Sequence, residues 1–234
     1  MRYKSNLKAP DLSPYFRLVD PPIQLCGHDI PSDPDFDPNC GFWSIDEAAI
    51  LFNVANQVKG AWVDIGARFG WTAAHLATAG CTVTALDPGF RNPAFRERFI
   101  GNTHHWYKWF DAIRGDGIQA CIATEDEDEQ KLWDGFVIDG NHDAPNPAND
   151  AWVAANILSK NACVILLHDY VGRPVREAGD WLVSQGFKKR VYFTPNGVGL
   201  FWRGLPDFVP PDHIPDPLCE QSMRARIEQD GGTV

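Results

Sequence analysis

The stretch Val63-Asp64-Ile65-Gly66-Ala67-Arg68-Phe69-Gly70 decides how this chain folds. A short apolar run, Ala61 to Ile65, stops at Gly66. A second glycine, Gly70, stands where a helical pattern begins at Trp71 and runs to Ala79, with Gly80 as its stop. The segment therefore reads as strand, tight turn and helix. Such a unit is half of a parallel βαβ crossover.

Working outward, the same alternation recurs. Upstream, Ser44 is a good N-cap, and Glu47 three residues on completes a capping box. Ala48, Leu51, Val54, Ala55 and Val58 then share one helical face, and Gly60 ends the helix. Downstream, Cys81 to Leu86 reads as a strand, Phe95 to Ile113 as partly helical, and Ile118 to Ala123 as a strand. Gly135 to Ile138 is a further strand, followed by a loop and a helix from about Ala148 to Leu158. Ala162 to Leu167 is the most apolar strand, as the middle of a parallel sheet requires. Pro174 opens a helix that Gly186 closes. Arg190 to Phe193 and Val198 to Trp202 flank Pro195-Asn196-Gly197, a hairpin signature. The expected fold is α/β, a Rossmann-like doubly wound, mostly parallel sheet with a C-terminal antiparallel hairpin. Residues 1–40, with seven prolines, read as an irregular N-terminal arm or lid. Residues 41–204 form the nucleoside-binding domain, and 205–234 a proline-rich C-terminal tail.

Doubly wound sheets bind ligands at the carboxyl ends of their strands. A dinucleotide turn wants G-x-G-x-x-G, whose middle glycine admits the pyrophosphate. Arg68 occupies that position, and its side chain would crowd the approach. S-adenosylmethionine has no phosphate, so D-x-G-x-x-x-G favours it. Asp64, Gly66, Ala67, Gly70 and Thr72 are the candidate cofactor residues of this turn. Asp87, ending the next strand, can accept hydrogen bonds from both ribose hydroxyls. The bland alternative is a tight turn at Gly66 and Gly70, with Asp87 capping a helix.

Composition narrows the partners. The chain has 234 residues, 44% hydrophobic, enough for one sizeable core. Its net charge is -10, with no Lys/Arg run to meet a phosphate backbone, so nucleic acid is not expected. The densest charge block, Glu125 to Glu129, reads as a solvated helix start. The longest apolar run, Ala162 to Leu167, is far too short to span a bilayer, so no membrane is expected. The six cysteines include no CxxC pair. Cys81, Cys121 and Cys163 lie in or beside apolar runs, and a reducing, cytoplasmic setting follows. Cys26 and Cys40 are free to meet, but nothing demands it.

Gly41-Phe42-Trp43-Ser44, Val63-Asp64-Ile65-Gly66, Val137-Ile138-Asp139-Gly140-Asn141-His142, Asp150 and Leu167-His168-Asp169 together resemble the class I methyltransferases of methyltransferase family 24. These are related to macrolide-sugar O-methyltransferases. The resemblance runs from about Gly41 to Arg203 and implies the class I methyltransferase fold. It also implies SAM-dependent O-methylation of a sugar or small natural product. Asp139 and Asp169 match positions that hold a divalent metal in several members, here expected to be Mg²⁺. His142 matches a general base, and Asp139 also adjoins the cofactor. Two departures stand out. A second carboxylate is absent beside Asp169, where His168 and Tyr170 stand. Ala123-Thr124-Glu125 replaces a small polar turn near the adenine, leaving Thr124 as the expected contact there.

Sulfonium methyl transfer asks the protein to position a hydroxyl and remove its proton. His142, with an ordinary pKa of about 6.5, suits that task. Its bland reading is a loop histidine that orders the turn. Asp150 is placed either to orient His142 or to face solvent. Trp106, Tyr107 and Trp109 read as core before they read as a substrate pocket. Gly140-Asn141-His142-Asp143 also resembles a block of calcineurin-like metallophosphoesterases, but no D-x-H or G-H-x-H accompanies it. Two rivals remain: a catalytically silent binding module on the same fold, and a nicotinamide oxidoreductase, which Arg68 disfavours. The expected partner is a small-molecule substrate, and a homo-oligomer stays open.

Overall fold

The computed structural model describes residues 6–12, 14–15, 43–115, 117–121 and 132–233. The Glu125–Glu129 block, Thr124, Cys26, Cys40 and most of the arm lie outside them. Strands β1 (Ala61–Ile65), β2 (Thr82–Leu86), β3 (Phe110–Arg114), β4 (Trp133–Ile138), β5 (Ser159–Leu167), β6 (Lys188–Tyr192) and β7 (Val198–Arg203) form one sheet. Its order is β3-β2-β1-β4-β5-β7-β6. The first five pair in parallel, and β7 runs antiparallel to both β5 and β6. The expected terminal hairpin is therefore present, and it inserts β7 between β5 and β6. The strand order reverses between β1 and β4, which sets the ligand crevice there.

Helices α1 (Ile45–Gln57), α2 (Trp71–Thr78) and α3 (Pro93–Thr103) cover one face. Helices α4 (Asn146–Val153), α5 (Arg173–Ser184) and α6 (Pro217–Gln229) cover the other. Both faces of the central strands are thus buried, and their side chains alternate between two cores. On β1, Trp62 enters the first core while Val63 and Ile65 enter the second. Asp64 shares the parity of Trp62 and is carried, fully buried, toward α2.

Two expectations about elements are corrected. Ile118–Cys121 forms a 3₁₀ turn, not a strand. Its apolar residues, Ile118 and Cys121, fill the core beside Leu86 and Trp133 instead of pairing in the sheet. The third strand is Phe110–Arg114, the end of the segment expected to be partly helical. It is an edge strand with half-buried Phe110, Ala112 and Ile113 and exposed Asp111 and Arg114, so its pattern lacks the apolar run of a central strand. In the tail, Asp216 caps α6 by accepting from the amides of Leu218 and Cys219, and Met223 and Ile227 bury against the second core. Trp106 is buried and Tyr107 exposed in the 3₁₀ turn His104–Trp109. No helix among the described residues is long and apolar enough to cross a membrane.

Candidate active site

Register places the site. Ile65 pairs with Leu86 on one side and Ile138 on the other, and Ile138 pairs with Leu167. Four strands therefore end level, so Gly66, Asp87, Asp139 and His168 emerge side by side. Backbone hydrogen bonds extend the ladders by one step: Gly66 N–H to Leu86 O at 2.8 Å, Asp139 N–H to Ile65 O at 2.9 Å and His168 N–H to Ile138 O at 3.1 Å.

Above these ends lies a cleft of about 450 Å³, within the range of small-ligand sites. Gly66, Ala67, Thr72, Asp87, Asp139, His142 and Asp169 all line it, as do Arg68 and Asp150. Asp64 and Gly70 stand behind the wall. Thr72 Oγ donates to Asp64 Oδ2 at 2.6 Å, so Asp64 meets the cleft through Thr72. Gly66 has φ +84, and a Cβ there would lie 2.1 Å from the carbonyl oxygen of Asp139. Gly70 has φ +96, and a Cβ would meet Thr103 at 2.3 Å. Only glycine fits either place. The Asp87 carboxylate accepts from the amides of Arg68 at 2.9 Å and Gly89 at 2.7 Å. Both its oxygens keep a further lone pair.

Acids and histidines crowd the far end. His142 Nε2 lies 3.4 Å from Asp139 Oδ1 and 3.3 Å from Asp169 Oδ2. His168 Nδ1 lies 2.9 Å from Asp139 Oδ1 and 3.4 Å from Asp169 Oδ2. Burial disfavours charge on both imidazoles, but the facing carboxylates outweigh it. Asp139 leads that opposition at each ring, and both histidines are held above the ordinary value. Burial would raise Asp139, yet His168 and His142 hold it well below the usual carboxylate range. Burial alone pushes Asp150 up to about 6.

Sequence reasoning left Trp43 and Glu47 out of the site. The Trp43 indole stacks on His168 with centroids 4.5 Å apart, and its Nε1 donates to Asp139 Oδ2 at 2.7 Å. Glu47 is fully buried and faces the other nitrogen of His168, with Oε2 at 3.4 Å from Nε2. Its capping role concealed the second one: a residue already explained by a capping box carries no further signal.

No protein-family model matches this chain, and no curated protein matches it. Solved structures do. The O-methyltransferase TomG from Streptomyces achromogenes, in complex with SAM, aligns over 71% of this chain and 82% of its own, with 13% identity and TM-score 0.55. A methyltransferase from Geobacter sulfurreducens aligns over 74% and 91%, with 18% identity and TM-score 0.57. An O-methyltransferase from Bacillus cereus, in complex with S-adenosylhomocysteine (SAH), aligns over 67% and 79%, with 15% identity and TM-score 0.54. The chain has the class I methyltransferase fold.

Proposed function

We propose that the protein is a SAM-dependent O-methyltransferase that transfers a methyl group to a hydroxyl of a sugar or small natural product. The observation that carries this reading is the convergence of Asp139, His142 and Asp169 at one end of a cleft whose other wall is Gly66, Ala67 and Asp87. Asp87 accepts from the ribose hydroxyls. The Gly66–Ala67 backbone admits the nucleoside, and Thr72, fixed by Asp64, bounds the amino-acid end. Thr124 remains the proposed adenine neighbour.

The methyl donor supplies an electrophilic carbon on a positively charged sulfur. His142 takes the proton from the acceptor hydroxyl. The carbon–oxygen bond forms as the carbon–sulfur bond breaks, and the thioether leaves with the electron pair. Asp139 and Asp169 orient the imidazole from one side. The same two carboxylates fit a divalent cation, since their oxygens and His168 Nδ1 all lie within 4.8 Å of one another. Asp139 and Asp169 would hold such a cation, Mg²⁺ in the reading by resemblance, which would supply Lewis acidity toward a bound hydroxyl.

Calorimetry with SAH tests the cofactor. Wild type should bind and Asp87→Ala should not; failure of the wild type to bind ends the proposal. Turnover with radiolabelled SAM across a panel of hydroxylated sugars and natural products tests the chemistry. His142→Ala should keep SAH affinity and lose about 10²–10⁴-fold in rate. An unchanged rate removes His142 as base, and SAH binding without any turnover favours a silent binding module.

A further inference from the structure

We propose that a second cavity, walled by α5, α6, the edge strand β6 and the C-terminal tail, binds a small aromatic carboxylate. This site lies apart from the methyl-transfer cleft and does not rest on that reading.

Asp169 lines the cleft, but the next residue, Tyr170, lines a separate cavity of about 530 Å³. That volume falls within the range of small-ligand sites. Ordinary periodicity builds its walls. Arg176 and Asp180 stand one turn apart on α5, as do Arg224 and Ile227 on α6. Lys189 and Val191 alternate along one side of β6, and Phe193 continues that side. The tail closes the remaining side. Gly231 turns with φ +72, and Gly232 N–H donates to Ile227 O at 2.9 Å. A Cβ on Gly232 would lie 3.1 Å from Nε and 3.2 Å from Nη2 of Arg176. Glycine thus lets the tail backbone lie directly against the guanidinium.

Arg176 sets the charge of the ligand. Its side chain is only 8% exposed, and a guanidinium has five N–H groups to satisfy. Nη1 donates to the Val171 carbonyl. Nη2 has the half-exposed Asp230 at 3.5 Å, well beyond the roughly 2.7–2.9 Å of a charge-assisted bond. A buried guanidinium with donors to spare favours a planar, two-pronged acceptor, which a carboxylate is. Tyr170 adds a donor. It is 3% exposed, and no group among the described residues bonds its hydroxyl. Burial pushes its pKa upward, so the O–H stays protonated.

The surroundings agree. The whole chain carries a net charge of -10, yet Arg176, Lys189 and Arg224 line this cavity against Asp180 alone. Asp180 is exposed and meets Lys189 only at 3.5 Å, a surface pair that contributes little and yields readily to an incoming anion. Val191, Phe193, Ile227 and the Tyr170 ring supply apolar wall for a flat body. Arg224 lies over Phe193 at 4.2 Å, bonded to Glu220 through Nε and Nη2 at 3.0 and 2.7 Å. A guanidinium so fixed takes an aromatic face as well as a carboxylate edge.

The experiment is calorimetry on the full chain, untagged at its C-terminus because the tail walls the cavity. The probes are 2-naphthoate, its neutral amide 2-naphthamide, and acetate. One 2-naphthoate should bind per chain. Naphthamide, lacking the charge, and acetate, lacking the rings, should each bind at least ~10-fold more weakly. Arg176→Lys, which loses the fork, should weaken naphthoate by about 10-fold or more, and Tyr170→Phe by about 5-fold. Asp87→Ala should leave naphthoate affinity unchanged. Circular dichroism melting separates lost binding from lost folding. If Arg176→Lys does not fold, Tyr170→Phe and the naphthoate-to-naphthamide ratio decide. Wild type that binds no naphthoate, or binds naphthamide equally well, overturns the proposal. So does full affinity in folded Arg176→Lys or in Tyr170→Phe. Loss of naphthoate on Asp87→Ala would put the ligand in the cleft instead and overturn it as well.

Discussion

Asp64 is a carboxyl that the fold holds against its ionisation. It is fully buried on β1, and burial, opposed by the Thr72 hydrogen bond, pushes it up to about 7 from an ordinary 3.8. Between these values the folded chain keeps a proton that the unfolded chain has released. Stability therefore falls as pH rises from about 4 to 7, and the cost above 7 is on the order of 4 kcal/mol. Asp64→Asn removes this term. Urea unfolding at pH 5 and pH 8 should show wild type losing more stability than the variant, and parallel behaviour would refute the burial argument. Gly66 is the other residue with a sharp expectation. Gly66→Ala forces a left-handed alanine against the Asp139 carbonyl, at a cost of several kcal/mol read as a lower melting temperature. Gly66 was legible in sequence because a strand-to-helix turn demands it. Trp43 and Glu47 were not, since an indole and a helix-capping acid declare nothing of a histidine more than a hundred residues away.

Element boundaries followed local chemistry where that chemistry was strong. The capping box forms as read: the Ser44 side chain accepts from the Glu47 amide, and the Glu47 carboxylate accepts from the Ser44 amide. Ser44→Ala should destabilise the protein by about 1 kcal/mol while SAH affinity stays unchanged, checked by denaturation and calorimetry. An effect on SAH binding would mean that α1 reaches the cofactor as well as His168. Strand β3 was misplaced for a physical reason. At the sheet edge, exposed Asp111 and Arg114 interrupt the half-buried Phe110, Ala112 and Ile113 and erase the apolar run, while Ile118 and Cys121 mimic a strand because they fill the core. Helix α6 was obscured by the prolines around it, although Asp216-Pro217 is a sound helix start.

At the scale of the molecule, ligand binding should register as global stability. At 100 times its dissociation constant a ligand adds about 2.7 kcal/mol, worth several degrees of melting temperature in a domain of this size. SAH should raise the melting point and NADH should not; the reverse would restore the nicotinamide reading. Local sequence by itself determined the alternation of strands and helices, the glycine turn at Gly66 and Gly70, and the acids Asp87, Asp139 and Asp169 at strand ends, because turns, caps and apolar runs are written in neighbouring residues. Only the tertiary structure decided which strand ends stand level, that β7 inserts beside β5, and that Glu47 comes to lie behind His168. Those outcomes depend on register and packing between segments far apart in the chain, and no local pattern encodes the distance between them.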